Sequence, residues 1–231
     1  MVNHPIIDVI IPAYNEQDSI PLVVAEIPAE LVRHIIVANN GSTDDTVAAA
    51  ESAGAIVVHE PRSGYGNACL KGMDYVAQRA TPPDIIVFLD GDHSDYPEEM
   101  RLLLDKMEQE DLDLVIGSRA LGDRESGSMK PQQIFGNWLA TSLIKLFYKY
   151  EFTDLGPFRA IRYPALMAID MQDRTYGWTV EMQVKAAKMN LRCGEVAVNY
   201  RNRIGTSKVS GTLKGTILAG HKILWTIFKL L

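Results

Sequence analysis

Along the first half of the chain, short unbroken apolar runs alternate with segments of helical period. IIDVIIP (6–12), HIIVA (34–38), AIVVHE (55–60), DIIVFLD (84–90) and DLVIGS (113–118) read as strands. A segment from about Ser19, then TDDTVAAAESAG (43–54), GNACLKGMDYVAQ (66–78) and PEEMRLLLDKMEQ (97–109), read as helices. Strands that are apolar on both faces need cover on both faces, and regular strand–helix alternation makes neighbouring strands parallel. The pattern predicts an α/β fold with a mostly parallel mixed sheet, covered by helices on both faces.

The second half is less regular. ALGDRESGSMKP (120–131) is polar and reads as a loop, QQIFGNWLATSLIKLFYKY (132–150) as an apolar helix carrying lysines, and GPFRAIR (156–162) as a strand. WTVEMQVKAAKMN (178–190) reads as a helix, RCGEVAVNYR (192–201) as an alternating strand and RNRIGTSKVSG (201–211) as a basic loop. The division expected is one domain over residues 1–210 and an amphipathic helix over 211–231.

In open parallel sheets, ligands bind beyond the carboxyl ends of the strands. Four polar motifs occupy that place: PAYNE, NNGSTDD, EPRSGYG and DGDHSD. Asp90 and Asp92 are the sharpest pair. In an extended turn, alternate residues face one way, so Asp-x-Asp can offer two hard oxygens to Mg²⁺ or Mn²⁺. Asp95, just ahead of Tyr96-Pro97-Glu98-Glu99, reads as a helix cap instead. His93 reads as a wall of the site. Arg62 and the amides of the RSGYG turn read either as a diphosphate contact or as a plain strand-to-helix turn.

Composition narrows this picture. Hydrophobic residues make up 47% and charged residues 23%, the balance of a folded globular protein. The net charge of −6 argues against nonspecific nucleic-acid binding. From Lys185 onward, however, nine Lys or Arg face a single acid, Glu195. A basic end on an acidic body suggests phosphates or an anionic membrane. The start lacks the features of a secretory leader, and no uncharged apolar run reaches the ~18 residues of a spanning helix. Cys69 and Cys193 read as reduced thiols. The expectation is a cytoplasmic protein, peripheral at the inner face of the membrane. Lys214, Lys222 and Lys229 fall on one side of the last helix and apolar residues on the other, the pattern of a helix lying on a bilayer.

Taken together, IPAYNE, NNGSTDDT, RSGYG and FLDGD, followed by Gly117-Ser118-Arg119, Thr153-Asp154-Leu155-Gly156-Pro157-Phe158-Arg159 and Arg203…Ser207-Lys208, resemble family-2 glycosyltransferases of the GT-A fold. The second half is most similar to dolichyl-phosphate or polyprenyl-phosphate mannosyltransferases and glucosyltransferases. The resemblance implies a metal-dependent hexosyltransferase that inverts the sugar, taking it from a UDP- or GDP-hexose to a lipid phosphate. It implies that Pro12, Tyr14 and Glu16 line the nucleoside pocket, that Ala38 and Asn40 meet the base, and that Asp90, Gly91 and Asp92 hold metal and diphosphate. Arg119, Arg203 and Lys208 would meet phosphates, with Arg159 on the acceptor side.

Asn39-Asn40 stands where the family commonly has two aspartates. An amide donates as well as accepts, so Asn40 can pair with a uracil edge, which favours UDP. Ser94 stands where the lipid-phosphate enzymes often have glutamine. A phosphate acceptor needs no base, whereas a hydroxyl acceptor does, and Glu181 or Asp154 would supply it. Glu181 reads equally as a surface glutamate on an amphipathic helix. A nucleotidyltransferase and a noncatalytic nucleotide-sugar binder are the alternatives from other classes.

Overall fold

Strand β1 (Ile7–Ala13) is buried along its whole length, so it belongs at the centre of a sheet. The computed structural model describes residues 5–206 and 213–231, except the side chains of 213, 214 and 216. Lys208 therefore lies outside the described residues. In it, β1 is flanked by β2 (His34–Asn39) and β4 (Ile85–Phe88), both parallel to it, and β3 (Ile56–His59) extends the sheet beyond β2. Next to β4 comes β6 (Arg159–Arg162), then β5 (Leu114–Ser118) and β7 (Cys193–Ala197).

β6 is antiparallel to both of its neighbours, while β5 and β7 are parallel. Its reversal has a consequence for the site. Arg159 sits opposite Phe88 and Ile116, so the preceding segment, 153–158, emerges at the edge where β4 and β5 end. The sheet is mixed but mostly parallel, as the alternation predicted.

Helices cover both faces. On one side α1 (Ile20–Glu26), α2 (Thr46–Ser52) and α4 (Met100–Gln109) bury Ile20, Val23, Ala50 and Leu103 against Val9, Ile11, Val37 and Val115. On the other, α3 (Tyr65–Ala77), α5 (Pro131–Tyr148), α6 (Tyr163–Ile169), α7 (Trp178–Lys188) and α8 (Leu213–Lys229) share a core around Ile10, Phe88, Ile116 and Trp178. The alternating direction of the β1 side chains explains the division: Ile7, Val9, Ile11 and Ala13 face one layer and Ile10 the other.

α8 packs on this second layer, where Ile227 is buried and the Phe228 ring meets Phe147 of α5 edge-on at 5.5 Å. Helix α6 departs from the sequence expectation, which placed nothing there. Its seven residues are too few to display a helical period, and Pro164 starts it. No helix among the described residues is long and apolar enough to cross a membrane.

Candidate active site

Because β1 to β4 run parallel, their four polar motifs meet at one edge. Side chains of the second motif tie the first in place. Ser42 Oγ accepts from the Asn15 amide at 3.0 Å, and Thr46 Oγ1 accepts from the Glu16 amide at 2.8 Å. Asp44 turns back onto the Thr46 amide at 3.0 Å, which delays the start of α2 from the expected Thr43 to Thr46. The result presents Pro12, Tyr14 and Glu16 to a cavity of about 330 Å³.

Asn40 lines the same cavity, but its amide is occupied. Nδ2 donates to the carbonyls of Glu60 and Arg62 at 3.0 and 2.8 Å, and Oδ1 accepts from Gly64 N at 2.8 Å. It therefore holds the turn after β3 and does not offer an amide edge to a base. Ala38 is fully buried in β2 and does not line this cavity. Arg62 is clamped on buried Glu60 through Nε at 2.8 Å and Nη2 at 2.9 Å. That guanidinium holds the Glu60 carboxyl down at about 2. Arg62 braces the turn and is absent from the cavity wall.

The turn approaches a segment that the sequence reading passed over. Gly66 N and Asn67 N donate to the carbonyls of Thr175 and Arg174 at 3.3 and 3.0 Å. Both are early α3 amides, and that of Gly66 belongs to the turn read either as a diphosphate contact or as a plain strand-to-helix turn. A Cβ on Gly64 would lie 2.2 Å from Arg174 O, and one on Gly66 would lie 2.1 Å from Asp173 O. The glycines of RSGYG thus serve close backbone approach. Segment 172–177 brings Tyr176 onto the cavity wall, which Tyr14 and Tyr65 also line. No local pattern marks its contact with α3, because those partners lie about a hundred residues away.

Asp90, Gly91 and Asp92 form the floor. Asp90 Oδ1 is buried without a hydrogen-bond partner among the described residues. Burial first, then the charge of Asp92, push the Asp90 carboxyl up to about 7. Asp92 Oδ1 accepts from the amide and hydroxyl of Ser94, and Oδ2 meets Arg203 Nη1 at 3.0 Å. The other arm of Arg203 meets Glu16 Oε1 at 3.1 Å. A crowded acidic pair, with one oxygen orphaned and another facing a cation, fits a divalent ion whose remaining ligands are water and phosphate oxygens.

Asp95 is not the helix cap the sequence suggested. Tyr96 caps the short 3₁₀ turn, while the Asp95 carboxyl is buried with neither oxygen hydrogen-bonded among the described residues, and burial pushes it well up. His93 adopts a left-handed φ of 63°, which turns its ring to Glu26 of α1 at 2.9 Å. Beyond β7 the chain runs back over this loop. Arg201 N donates to Ser94 O at 2.9 Å and Ile204 N to Asp92 O at 3.0 Å, which places Arg203 over the acids.

Segment 153–156 forms the second half of the site. Asp154 accepts from Arg119 N, Nε and Nη2 at 2.8, 2.7 and 2.8 Å. Burial raises the Asp154 carboxyl, but Arg119 outweighs it and holds it below the usual range. Glu195 accepts the Thr153 amide, Asn137 bridges Thr153 O and Leu155 N, and Gln183 donates to Asp154 O. Their sequence signals were those of ordinary strand and helix positions.

Arg159, expected on the acceptor side, is fully buried behind the site. Its guanidinium donates to the carbonyls of Thr179, Leu155 and Gly156, and burial brings it down to about 10. Glu181 is buried as well. It accepts from Gln172 N and Asp173 N at 3.1 and 2.6 Å and pairs with Lys185 at 2.8 Å, so it is no surface glutamate and braces segment 172–177. A second cavity of about 400 Å³ lies along Thr153 and Asp154, with Ala120, Arg124, Asn137 and Trp138 among its walls.

The structure thus gathers Pro12, Tyr14, Glu16, Asn40, Asp90, Gly91, Asp92 and Arg203 around one cavity and sets Asp154 on another. Ala38, Arg62, Arg119, Arg159 and Glu181 line neither, although Arg119 is bound to Asp154 on the wall of the second.

Comparison with known proteins bears on the fold and the family. An undecaprenyl-phosphate mannosyltransferase of Micrococcus luteus is 30% identical over 89% of this chain and 88% of its own. A polyprenol monophosphomannose synthase of Mycolicibacterium smegmatis is 29% identical over 88% and 81%. An uncharacterized glycosyltransferase of Mycobacterium bovis is 34% identical over 92% and 94%. Among solved structures, a glucosyl-3-phosphoglycerate synthase of Mycobacterium tuberculosis in complex with Mn²⁺, UDP and phosphoglyceric acid superposes with a TM-score of 0.77. That match has 22% identity and covers 98% of this chain and 78% of that one, and it shows the GT-A fold. The profile of glycosyl transferase family 2 matches residues 8–170, and the chain belongs to that family.

Proposed function

We propose that this chain transfers a hexose, with inversion, from a nucleoside-diphosphate sugar to a polyprenyl phosphate presented at a membrane surface. The observation that carries the choice of acceptor is the state of the two candidate bases. Asp154 is bound to Arg119 on both oxygens, and Glu181 is held by two backbone amides and Lys185. A hydroxyl acceptor would need one of them to take its proton; a phosphate is already an anion and needs neither. The lipid-phosphate relatives support the same choice.

In this reading the first cavity takes the donor. Tyr14 and Tyr176 flank the nucleoside, and Pro12 and Glu16 bound it. Asp90 and Asp92 hold Mg²⁺ or Mn²⁺, which when bound offsets the charge gained by the departing diphosphate. Arg203, already over the acids, meets a phosphate, and Lys208 follows on the same segment. With the Asn40 amide occupied, the ground for preferring UDP over GDP disappears. The second cavity takes the acceptor phosphate, with Arg119 fixed by Asp154 behind it and Arg124 on its wall.

Exposed Ile134, Phe135 and Trp138 on α5, and Ile217, Trp225 and Phe228 on α8, supply an apolar surface for peripheral membrane contact. Lys222 does not join it as the sequence suggested, because it pairs with Asp173.

The test pairs activity with affinity. Asp92→Ala is expected to abolish transfer while a UDP- or GDP-hexose still binds, more weakly. The wild-type product is expected to carry the anomeric configuration opposite to the donor's. Retained configuration, or donor binding with no transfer to any phosphate acceptor, would contradict the proposal.

A further inference from the structure

The C-terminal helix reaches the 172–177 turn through an ion pair. Lys222 Nζ on α8 lies 2.8 Å from Asp173 Oδ2, and the Asp173 side chain is almost entirely buried. The other oxygen of that carboxylate accepts from Thr175 N at 2.8 Å and Gly177 N at 3.1 Å, so Asp173 sets the shape of the whole turn. The helix meets the turn closely at Gly177, beside a cavity of about 220 Å³ walled by Asp173, Thr175, Lys222 and Thr226. A Cβ on Gly177 would fall 2.5 Å from Asp173 Oδ2 and 2.6 Å from Thr226 Oγ1 of α8. On its far side, the same turn gives its carbonyls to the first amides of α3 and places Tyr176 on the first cavity. Glu181 of α7 fixes where the turn begins, and Lys222 of α8 fixes its middle.

We infer that Lys222 is a positioning residue for the donor cavity, acting through Asp173 on the 172–177 wall, so that the seating of the C-terminal helix governs how the nucleotide diphosphate is held. This rests on the donor assignment made above for that cavity. The physical reason is the buried carboxylate. With its cation, both oxygens of Asp173 are engaged; without it, Oδ1 keeps two amides and the Thr175 hydroxyl, but Oδ2 of a buried charge loses its cation, and the turn gains by moving toward water. That movement pulls Arg174 O and Thr175 O away from Asn67 and Gly66 and shifts Tyr176.

The experiment uses the full chain with Lys222→Met, Lys222→Arg and Asp173→Asn. Amide exchange at Gly66 and Asn67, read without ligand, is expected to quicken about fivefold in Lys222→Met and Asp173→Asn, and to stay near wild type in Lys222→Arg. Exchange in β1 is expected to stay unchanged. Titration with UDP and with GDP in Mn²⁺ should show affinity falling about fivefold in the first two variants and recovering in the third. Unchanged exchange at Gly66 and Asn67 overturns the inference. So does a rise spread evenly over the chain, which marks a merely structural ion pair. Local exchange that responds in a protein binding neither nucleotide sustains the linkage and counts against the donor assignment instead.

Discussion

Arg203 bridges Glu16 and Asp92, holding a positive charge beside the oxygens proposed for the metal. Arg203→Gln is therefore expected to strengthen binding of Mn²⁺ alone, since a competing cation is gone, and to weaken binding of UDP with Mn²⁺, since a phosphate contact is lost. Electron paramagnetic resonance of Mn²⁺ reads both; equal affinities in variant and wild type would remove Arg203 from the account. Glu181 gives the complementary case. Glu181→Gln is expected to lower stability by about 1–3 kcal/mol in a urea melt, because buried amides lose a charged acceptor. It should leave the acidic limb of the rate–pH profile in place, whereas loss of a general base would remove that limb and cost ~100-fold or more. At this scale the sequence named the right neighbourhood more often than the right job. Asp90, Asp92 and Glu16 stand at the cavity where their motifs indicated. Arg62, Arg159 and Glu181 were marked by charge near a motif, but charge alone does not reveal a partner. Arg62 had Glu60 two residues away, while Arg159 and Glu181 found carbonyls and amides that only folding brings near.

The alternating apolar runs at the level of elements were legible because a strand buried on both faces leaves few polar positions. The direction of β6 was not, since strand direction is decided by the connections around it. The short helix α6 was missed for lack of length. RSGYG was read as a diphosphate contact or a plain strand-to-helix turn, yet its glycines serve the contact between α3 and segment 172–177. Gly66→Ala is accordingly expected to destabilise by about 1–3 kcal/mol, since its Cβ would meet the Asp173 carbonyl and backbone must shift. Gly136→Ala in α5 is the control: a Cβ there has open space, and helix propensity predicts a gain of about 0.5–1 kcal/mol. Urea midpoints of the two variants should move in opposite directions.

Over the whole molecule, the two cavities, the apolar faces of α5 and α8 and the basic C-terminal end make one continuous proposal. Trp138 and Ile134 are both exposed to solvent and walls of the second cavity, so a lipid chain leaving that cavity would run along α5. Flotation with anionic vesicles is expected to recover the protein, and Phe135→Ser with Trp138→Ser to reduce recovery. With Lys222 engaged by Asp173, apolar contact should carry more of the binding than charge, and recovery should survive high salt in part. Complete loss at modest salt would place the contact on lysines instead. The charge asymmetry hinted at this surface from sequence, but which lysines remain available depended on the fold. The central claim is the acceptor, and transfer of labelled hexose from UDP- and GDP-sugars with Mn²⁺ or Mg²⁺ tests it most directly when polyprenyl phosphate is compared with the dephosphorylated polyprenol. The account predicts label in the phosphate lipid and none in the alcohol; transfer to the alcohol, or to neither lipid with every donor, would contradict it.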